Sequence, residues 1–306
     1  MKKKLIIIIT ALLTITLGIL LRYMYLKDIK TAAEMYRNTD NIYSEYNRND
    51  AKAVIKIDDS DEAEFVEGSL QENSDDGKNN TRNAKGKAAI NESKKDTGVY
   101  SYRYDGPWEE QLNVDLKGLI ELYPNVRGWL FFENEDISYP IVQGSTDDIY
   151  LRTAYNGENT AAGSIFLEAI NKSDFSDSHS IIYGHNMRNG TMFGKLRNYV
   201  NRPNYYEYHK YFQIVRLDDA GNEVKARYKI FAYGKTKSYA KIFTVCREHD
   251  TAFGEVLQYI QGNSRVTTDV PVYQTDNIVT LSTCEMGENR LAISAVKVDE
   301  IIVPQN

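Results

Sequence analysis

The sequence predicts a mainly β fold, in which about eight strands close or nearly close into a barrel. After residue 104 the chain contains short runs rich in β-branched and aromatic residues, separated by turn residues, with few helical segments between them. Before that point lie an apolar N-terminal run and a long polar stretch. A β-sandwich would give the same pattern, so it stays open as the alternative.

Composition narrows the range of functions. The chain has 306 residues, enough for one or two domains with a core. Its net charge of -6 supplies no basic field, so no nucleic-acid partner is expected. Two cysteines, Cys246 and Cys284, are too few for a disulfide scaffold, and no Cys/His spacing matches a zinc site. We therefore expect neither a metal nor another cofactor.

Residues 1–27 have the features of a membrane anchor. Lysines precede an apolar run over residues 5–21, and tyrosines and further basic residues follow it. A cleaved signal peptide is the alternative, but the run is longer than a usual signal core and no A-x-A site follows it. We predict an uncleaved, single-pass signal anchor in the cell membrane. The N-terminal lysines would stay in the cytoplasm, and the rest of the chain would be extracellular.

Residues 28–104 are predicted to form a polar, largely disordered extracellular stalk. Their first part has scattered apolar positions that suit a short amphipathic helix, but from residue 50 onward Asp, Glu, Asn, Ser, Lys and Gly dominate. Such a composition buries too little apolar surface to offset the entropy lost on ordering.

Residues 105–306 are predicted to form the folded domain. Leu112, Leu116 and Leu119 have helical spacing, and Pro124 ends that first helix. Two more helices are expected, over residues 191–201 and, between late strands, over residues 249–263. Strands are expected over residues 128–133, 137–143, 163–169, 180–185, 211–217, 225–236, 270–274, 277–284 and 290–303.

Three residues at predicted strand ends suit acyl transfer. His185 follows the apolar strand "IIYG", Cys284 ends "NIVTLSTC", and Arg290 opens the next strand. If the last two strands form a hairpin, Cys284 and Arg290 lie at the same end of the sheet. A thiolate there could attack a carbonyl, an imidazolium could protonate the departing amine, and a guanidinium could donate to the oxyanion. No Asp or Asn is an obvious partner to orient His185, so a papain-like triad is not supported.

Each of these residues also has an ordinary structural interpretation. Cys284 could be a buried inert thiol, His185 a hydrogen-bonded turn residue, and Arg290 an edge ion pair with a nearby glutamate. Two wider alternatives follow. The chain could be a cysteine peptidase that releases its product to water, or a non-enzymatic, membrane-anchored β-domain with a Cys246–Cys284 disulfide.

Taken together, the motifs resemble those of the sortases, the cysteine transpeptidases of Gram-positive cell surfaces. The segments "TLSTC" and "IIYGHNM" and the arginine opening the next strand are similar to the family's signature. The segments "NVRGWLFFENEDISYPIVQG" and "GSIFLEAINKSDFSDSHSIIYGHNM" resemble class B, and the resemblance covers about residues 109–303. It implies an eight-stranded barrel with an N-terminal helix and an extra helix before the cysteine strand.

The resemblance also implies roles. Cys284 would be the nucleophile, His185 the general acid/base and Arg290 the oxyanion or substrate arginine. Cys284 would cleave a sorting motif of surface proteins after Thr, and an amine of peptidoglycan or its lipid-linked precursor would resolve the thioacyl intermediate. Substrate contacts are expected from Asp147, Leu151, Ser282, Glu285 and Tyr239.

This sequence departs from the family pattern at two points. Asp147 stands where an asparagine is common, and only five residues separate Cys284 from Arg290, which predicts an open rim on that side.

Overall fold

Eight strands close into a barrel in this protein, as the sequence predicts. The computed structural model describes residues 2–46, 107–284 and 288–304, with the side chains of all but residues 2–9, 12, 45, 46 and 284. The barrel strands are β3 (Val126–Phe132), β4 (Ser138–Val142), β5 (Ile165–Leu167), β6 (His179–Gly184), β7 (Tyr211–Leu217), β8 (Glu223–Lys237), β9 (Ile278–Cys284) and β10 (Asn289–Val303).

The remaining elements surround this barrel. A small two-stranded sheet joins β1 (Ser44–Tyr46) to β2 (Leu112–Val114). The helices are α1 (Lys2–Tyr43), α2 (Leu116–Leu122), α3 (Asn198–Asn201), α4 (Tyr205–Tyr208) and α5 (Thr251–Gly262).

Strand order fixes which strand ends meet. Around the barrel the order is β10, β8, β7, β3, β4, β5, β6, β9, and β9 pairs with β10 to close it. The pairs β4–β5 and β6–β9 are parallel, and the others are antiparallel. A parallel pair has both carboxyl ends at one edge of the sheet, so the residues that follow β6 and those that end β9 lie together.

Alternation along the strands separates the barrel interior from its outer face. In β9 and β10, Val279, Leu281, Leu291 and Ile293 belong to the interior cluster, and none is more than 2 % exposed. The residues between them face outward, because successive side chains point to opposite faces of a strand.

Helix α5 covers part of that outer face. The Asp250 side chain caps it by accepting a hydrogen bond from Phe253 N at 2.9 Å. Its apolar side, Phe253 to Ile260, packs against Phe231, Ala292 and Val296 of β8 and β10. This is the extra helix that the sequence predicts before the cysteine strand.

Helix α1 is part of the folded domain over its second half. Tyr36 is buried, and its hydroxyl donates to Gly163 O at 2.6 Å. Asp28 accepts from Ala161 N at 2.8 Å, and the Thr39 and Tyr155 hydroxyls lie 2.7 Å apart. The amphipathic helix that the sequence suggests at the start of the predicted stalk is thus present up to Tyr43, and its apolar positions pack against the barrel. The rest of the predicted stalk lies outside the described residues.

The first half of α1 contains the apolar run that predicts an anchor. Over the residues that the structure describes, no helix combines the length and apolar character needed to cross a membrane.

Two other segments differ from the sequence prediction. Leu112 lies in β2 rather than in the first helix, which begins only at Leu116 after its cap Asp115. Residues 270–274 form an irregular segment instead of a strand. Pro271 has no N–H to donate to a sheet, and Val270 and Val272 pack against the cluster under α5 instead.

Candidate active site

The three predicted catalytic residues lie on neighbouring strands at one end of the barrel. In the parallel pair β6–β9, Gly184 is the register partner of Thr283, so the next residues are His185 and Cys284. In the antiparallel pair β9–β10, Cys284 is the partner of Arg290. Arg290 in turn pairs with Thr236 of β8. The side chain of Cys284 is outside the described atoms.

A backbone carbonyl holds the imidazole of His185. The ring is half-buried, and its Nε2 lies 2.6 Å from Leu151 O. A carbonyl oxygen can only accept, so Nε2 carries the hydrogen and the neutral ring has its basic lone pair on Nδ1. Nδ1 is thus the atom that can take up a proton from a thiol. The sequence offered no side chain to orient His185, and the structure supplies this main-chain group.

Gly163 supports the carbonyl of Leu151 from behind. It has a φ of +56°, and a Cβ built on it would lie 2.4 Å from Tyr150 O and 2.7 Å from Leu151 O. Both distances are far inside van der Waals contact, so only glycine fits there. Its own carbonyl accepts from Tyr36, which links α1 through Gly163 to the segment beside His185.

Arg290 lies on the opposite side of the cysteine position from His185. Its side chain is half-buried, and Nη1 donates to Asn289 O at 2.9 Å. The hairpin that carries it is braced by β8, because Ser238 N donates to Glu288 O at 2.8 Å. Residues 285–287 of the connection, including the predicted substrate contact Glu285, lie outside the described residues.

An acid pair, Asp147 and Glu168, lies next to Tyr183 of β6. Asp147 accepts from Ala169 N at 2.7 Å. Glu168 Oε2 accepts from the Tyr183 hydroxyl at 2.7 Å. Burial, and then the neighbouring Asp147 carboxyl, raises the pKa of Glu168 to about 7. Burial also raises the pKa of Tyr183, its two carboxyl neighbours add to this, and the positive charge of Arg290 opposes it.

The other predicted substrate contacts lie at separate places around the strand ends. Ser282 lies two residues before Cys284 and so belongs to the same face, and its buried hydroxyl has no hydrogen-bond partner among the described atoms. Leu151 is 36 % exposed on the His185 side. Tyr239, 75 % exposed, lies on the Arg290 side and lines a cavity of about 460 Å³ together with Gly234, Thr236 and Asn289. The structure therefore puts Leu151 and Tyr239 on opposite flanks of the row of strand ends.

A fully buried histidine elsewhere on β6 has a structural role. His179 Nδ1 lies 2.9 Å from Thr244 O, and Nε2 lies 2.9 Å from Thr280 Oγ1, which continues to Ser294 Oγ at 2.9 Å. Nδ1 must donate to the carbonyl, so Nε2 accepts from the threonine. Burial lowers the pKa of His179 to about 4, which keeps the ring neutral.

Cys246 is a buried free cysteine, so the alternative of a Cys246–Cys284 disulfide is wrong. Cys246 pairs with His179, at the start of β6, whereas Cys284 is six residues beyond the partner of His179 on β9. Six residues of strand span roughly 20 Å, and a disulfide needs its Cα atoms within about 7 Å. Burial raises the pKa of Cys246 to about 11, which leaves its thiol protonated and unreactive at neutral pH.

Comparison with known proteins identifies the family. Residues 132–298 match the family model described as the sortase domain. The chain belongs to the sortase family. Over 178 residues it is 36 % identical to sortase B of Listeria monocytogenes, covering 57 % of this chain and 69 % of that relative. Membership makes this sortase a cysteine transpeptidase of the kind that sorts proteins to the cell wall.

Solved structures of class B sortases are similar to this one. Sortase B from B. anthracis superposes with a TM-score of 0.55 at 30 % identity, covering 61 % of this sortase and 85 % of that chain. A Staphylococcus aureus sortase B–substrate complex gives a TM-score of 0.53 at 27 % identity, covering 60 % and 84 %. The chain is therefore a class B sortase with the eight-stranded barrel of its relatives.

Sequence reasoning missed the carbonyl of Leu151, and it did not single out Glu168 or Tyr183. Glu168 directly follows β5, which is antiparallel to β6, so it lies toward the edge of the sheet opposite His185 and the strand-end argument does not select it. The carbonyl of Leu151 carries no sequence signal, because every residue has one.

Proposed function

We propose that this sortase cleaves a sorting motif of surface proteins after Thr, with Cys284 as nucleophile, His185 as general acid/base and Arg290 as oxyanion donor. The observation that carries the proposal is the strand register. On one side Cys284 is the partner of Arg290, and on the other it follows Thr283, the partner of Gly184, which precedes His185. Three groups with complementary roles in acyl transfer therefore share one end of the barrel.

The first half-reaction forms a thioester. The thiolate of Cys284 attacks the carbonyl carbon of the Thr residue, and the oxygen becomes an oxyanion. The C–N bond then breaks, and the departing amine takes a proton from Nδ1 of the His185 imidazolium. Because Nε2–H stays on Leu151 O, the ring can deliver the Nδ1 proton without turning over.

Arg290 supplies the charge that the tetrahedral intermediate needs. Its guanidinium is permanently charged and carries several N–H donors, so it can bind the oxyanion without a change of protonation. A well-placed donor to an oxyanion typically contributes about 10²- to 10³-fold in rate.

The second half-reaction transfers the acyl group to an amine. The proposed acceptor is an amine of peptidoglycan or of its lipid-linked precursor, and neutral His185 takes the proton from that amine as it attacks the thioester carbonyl. The C–S bond then breaks, and Cys284 leaves as a thiolate. The donor is proposed to be a peptide segment, in line with the solved complex of a substrate with Staphylococcus aureus sortase B.

Five further residues are proposed to bind the donor peptide. Ser282 is kept as a proposed contact on its position two residues before Cys284, although its hydroxyl is buried in this structure. Leu151 and Tyr239 offer exposed apolar surface on the two flanks. Asp147 is half-buried and already bonded to Ala169 N, so it would contact the peptide through its remaining oxygen. Glu285 is kept as a proposed contact on its sequence position alone.

The first half of α1 is proposed to hold the protein at the cell membrane, with the catalytic domain outside. The support is the sequence, in which lysines precede the apolar run over residues 5–21. Membrane fractionation of cells, followed by protease treatment of intact cells, tests both parts. Recovery of the full-length protein in the soluble fraction would contradict the anchor, and protection of the barrel from external protease would contradict the orientation.

The decisive experiment traps the thioester. The full-length protein is incubated with a library of candidate sorting peptides, with and without amine acceptors, and both protein and products are weighed by mass spectrometry. We expect an acyl adduct on the wild type and on Cys246→Ala, the control for a second thiol, and none on Cys284→Ala. Turnover by the Cys284→Ala variant would contradict the assignment of Cys284 as the nucleophile. Products that stay hydrolytic at every amine concentration would instead indicate a cysteine peptidase.

A further inference from the structure

We propose that Tyr36 and Ser164 position His185, so that helix α1 contributes to catalysis as well as to the fold. The route runs through residues 150–164 (the 150–164 loop), one end of which carries the Leu151 carbonyl that binds the imidazole. This role depends on His185 acting as general acid/base, and so it rests on the proposed function. Tyr36 and Ser164 are positioning residues, because they act on His185 through that carbonyl.

The Leu151 carbonyl decides which nitrogen of His185 is basic. Among the described residues it is the one hydrogen-bond partner of the ring, and it accepts from Nε2–H at 2.6 Å. This leaves the lone pair on Nδ1, the atom proposed to exchange protons with Cys284 and with the departing amine. If the carbonyl moves away, the neutral ring can carry its hydrogen on Nδ1 instead, and that atom can no longer act as the base.

The other end of the loop holds this carbonyl in place. Ser164 N donates at 3.0 Å to Tyr150 O, directly before Leu151 in the chain. Gly163 packs so closely against the same stretch that a Cβ on it would lie 2.4 Å from Tyr150 O and 2.7 Å from Leu151 O. Because there is no free space between the two ends of the loop, a shift of Gly163 and Ser164 displaces the Leu151 carbonyl.

Helix α1 in turn fixes Gly163 and Ser164. The Tyr36 hydroxyl donates to Gly163 O at 2.6 Å and lies 3.2 Å from Ser164 Oγ. Ser164 Oγ donates to Thr153 O at 2.8 Å, which ties the two ends of the loop together. Both side chains are buried, so water does not replace a bond that is lost. Burial also raises the pKa of Tyr36, and its hydroxyl therefore keeps the hydrogen that it donates.

Another α1 contact reaches the loop without this connection to the active site. The Thr39 and Tyr155 hydroxyls lie 2.7 Å apart, and Thr39 Oγ1 donates to Met35 O at 2.9 Å within the helix. A hydroxyl has one hydrogen, so the Tyr155 hydroxyl is the donor to Thr39. The Tyr155→Phe variant therefore removes one bond of the same helix–loop interface and spares the bonds of Gly163 and Ser164.

Steady-state kinetics on the full-length protein test this route. Tyr36→Phe, Ser164→Ala and the control Tyr155→Phe are compared with the wild type, using one peptide and one amine at a temperature well below the lowest melting temperature. We expect kcat of Tyr36→Phe and of Ser164→Ala to fall by about 3- to 10-fold, because the imidazole is misplaced. The KM for the peptide should stay within about 2-fold of the wild-type value, because no proposed peptide contact is removed.

The control decides whether the loss is specific to the route. Tyr155→Phe should keep the wild-type kcat, since its hydroxyl is bonded to Thr39 and not to the groups that hold the Leu151 carbonyl. A wild-type kcat in both Tyr36→Phe and Ser164→Ala would overturn the proposal. An equal loss of kcat in Tyr155→Phe would show a general loosening of the helix–loop interface and would also overturn it.

A second measurement needs no turnover, so it separates this proposal from the proposed function. The nitrogen shifts of the His185 ring report its tautomer, and they are recorded by NMR on ¹⁵N-histidine-labelled full-length protein at about pH 9, above the ordinary titration range of histidine. The His185 signals are assigned by their loss in His185→Gln. We expect the Nε2–H tautomer in the wild type and in Tyr155→Phe, and a tautomer mixture in Tyr36→Phe and Ser164→Ala. The same tautomer in all four proteins would overturn the proposal whether or not the enzyme transfers peptides.

Discussion

The Gly163→Ala variant tests whether the glycine packed against the Leu151 carbonyl is needed both for folding stability and for catalysis. The new Cβ would sit 2.4 Å from Tyr150 O and 2.7 Å from Leu151 O, and the backbone would have to keep a φ of +56°. The left-handed conformation costs an L-residue about 1–2 kcal/mol, and forcing a methyl group into a packed site costs about 1–3 kcal/mol more. We therefore expect a loss of about 2–5 kcal/mol in the free energy of unfolding.

A matched control separates the two costs. Gly157 also has a positive φ, +88°, but a Cβ there would meet no atom within 4 Å. Gly157→Ala should therefore show the conformational cost alone, about 1–2 kcal/mol. Urea denaturation and thermal melting measure both variants, and the larger loss in Gly163→Ala should lower Tm by about 10 °C.

Activity provides the second readout. Because the Cβ pushes on the carbonyl that holds His185 Nε2, we expect kcat/KM of Gly163→Ala to fall by about 10- to 100-fold below the melting temperature, while Gly157→Ala stays near wild type. Equal destabilisation of the two variants would refute the steric argument. A Gly163→Ala enzyme that is destabilised but fully active would refute the link between Gly163 and the imidazole.

Three further predictions address other parts of the molecule. Arg290→Lys should lower kcat/KM by about 10- to 10³-fold in the peptide assay, since lysine lacks the guanidinium fork, and an unchanged value would exclude an oxyanion role. Tyr36→Phe leaves Gly163 O without its 2.6 Å bond and should cost about 1–2 kcal/mol in urea denaturation, whereas the exposed Tyr23→Phe should cost nothing measurable. The pKa of His179 in the folded state lies below its unfolded value of about 6.5, so the stability that the neutral ring contributes is complete above about pH 6.5. It is lost as the pH falls to about 4, and the loss in the free energy of unfolding is up to about 3 kcal/mol. His179→Gln should flatten this dependence of stability on pH, and an unaltered dependence would contradict the assignment.

The barrel and its reactive strand ends could be read from the sequence because both depend on local patterns. Alternation of apolar residues marked β6, β9 and β10, and the strand-end position singled out His185, Cys284 and Arg290. That these ends lie together depends on the parallel β6–β9 pairing, which the residues alone do not specify. The resemblance to the sortases implies a common role for the three residues, and hence that these ends lie together.

What the sequence did not reveal depends on contacts between distant segments. Residues 28–46 are polar on average, yet the few apolar residues among them pack on the barrel. The Tyr36 hydroxyl, for example, donates to Gly163 O, which is 127 residues away in the sequence. The pattern of Leu112 with Leu116 suited a helix, but pairing with β1 drew Leu112 into a strand. The acid pair combines residues from two segments, and neither is unusual in its local sequence.

The contact between α1 and the barrel has a consequence for fragment complementation. The two parts are joined non-covalently by the Asp28, Tyr36 and Thr39 hydrogen bonds and by the β1–β2 ladder, in which Ser44 partners Val114. The peptide chain between residues 46 and 107 is therefore not what keeps helix and barrel in register. A protease that cuts only within that interval should leave a nicked sortase whose two fragments co-purify, and separately made fragments should reassemble when mixed.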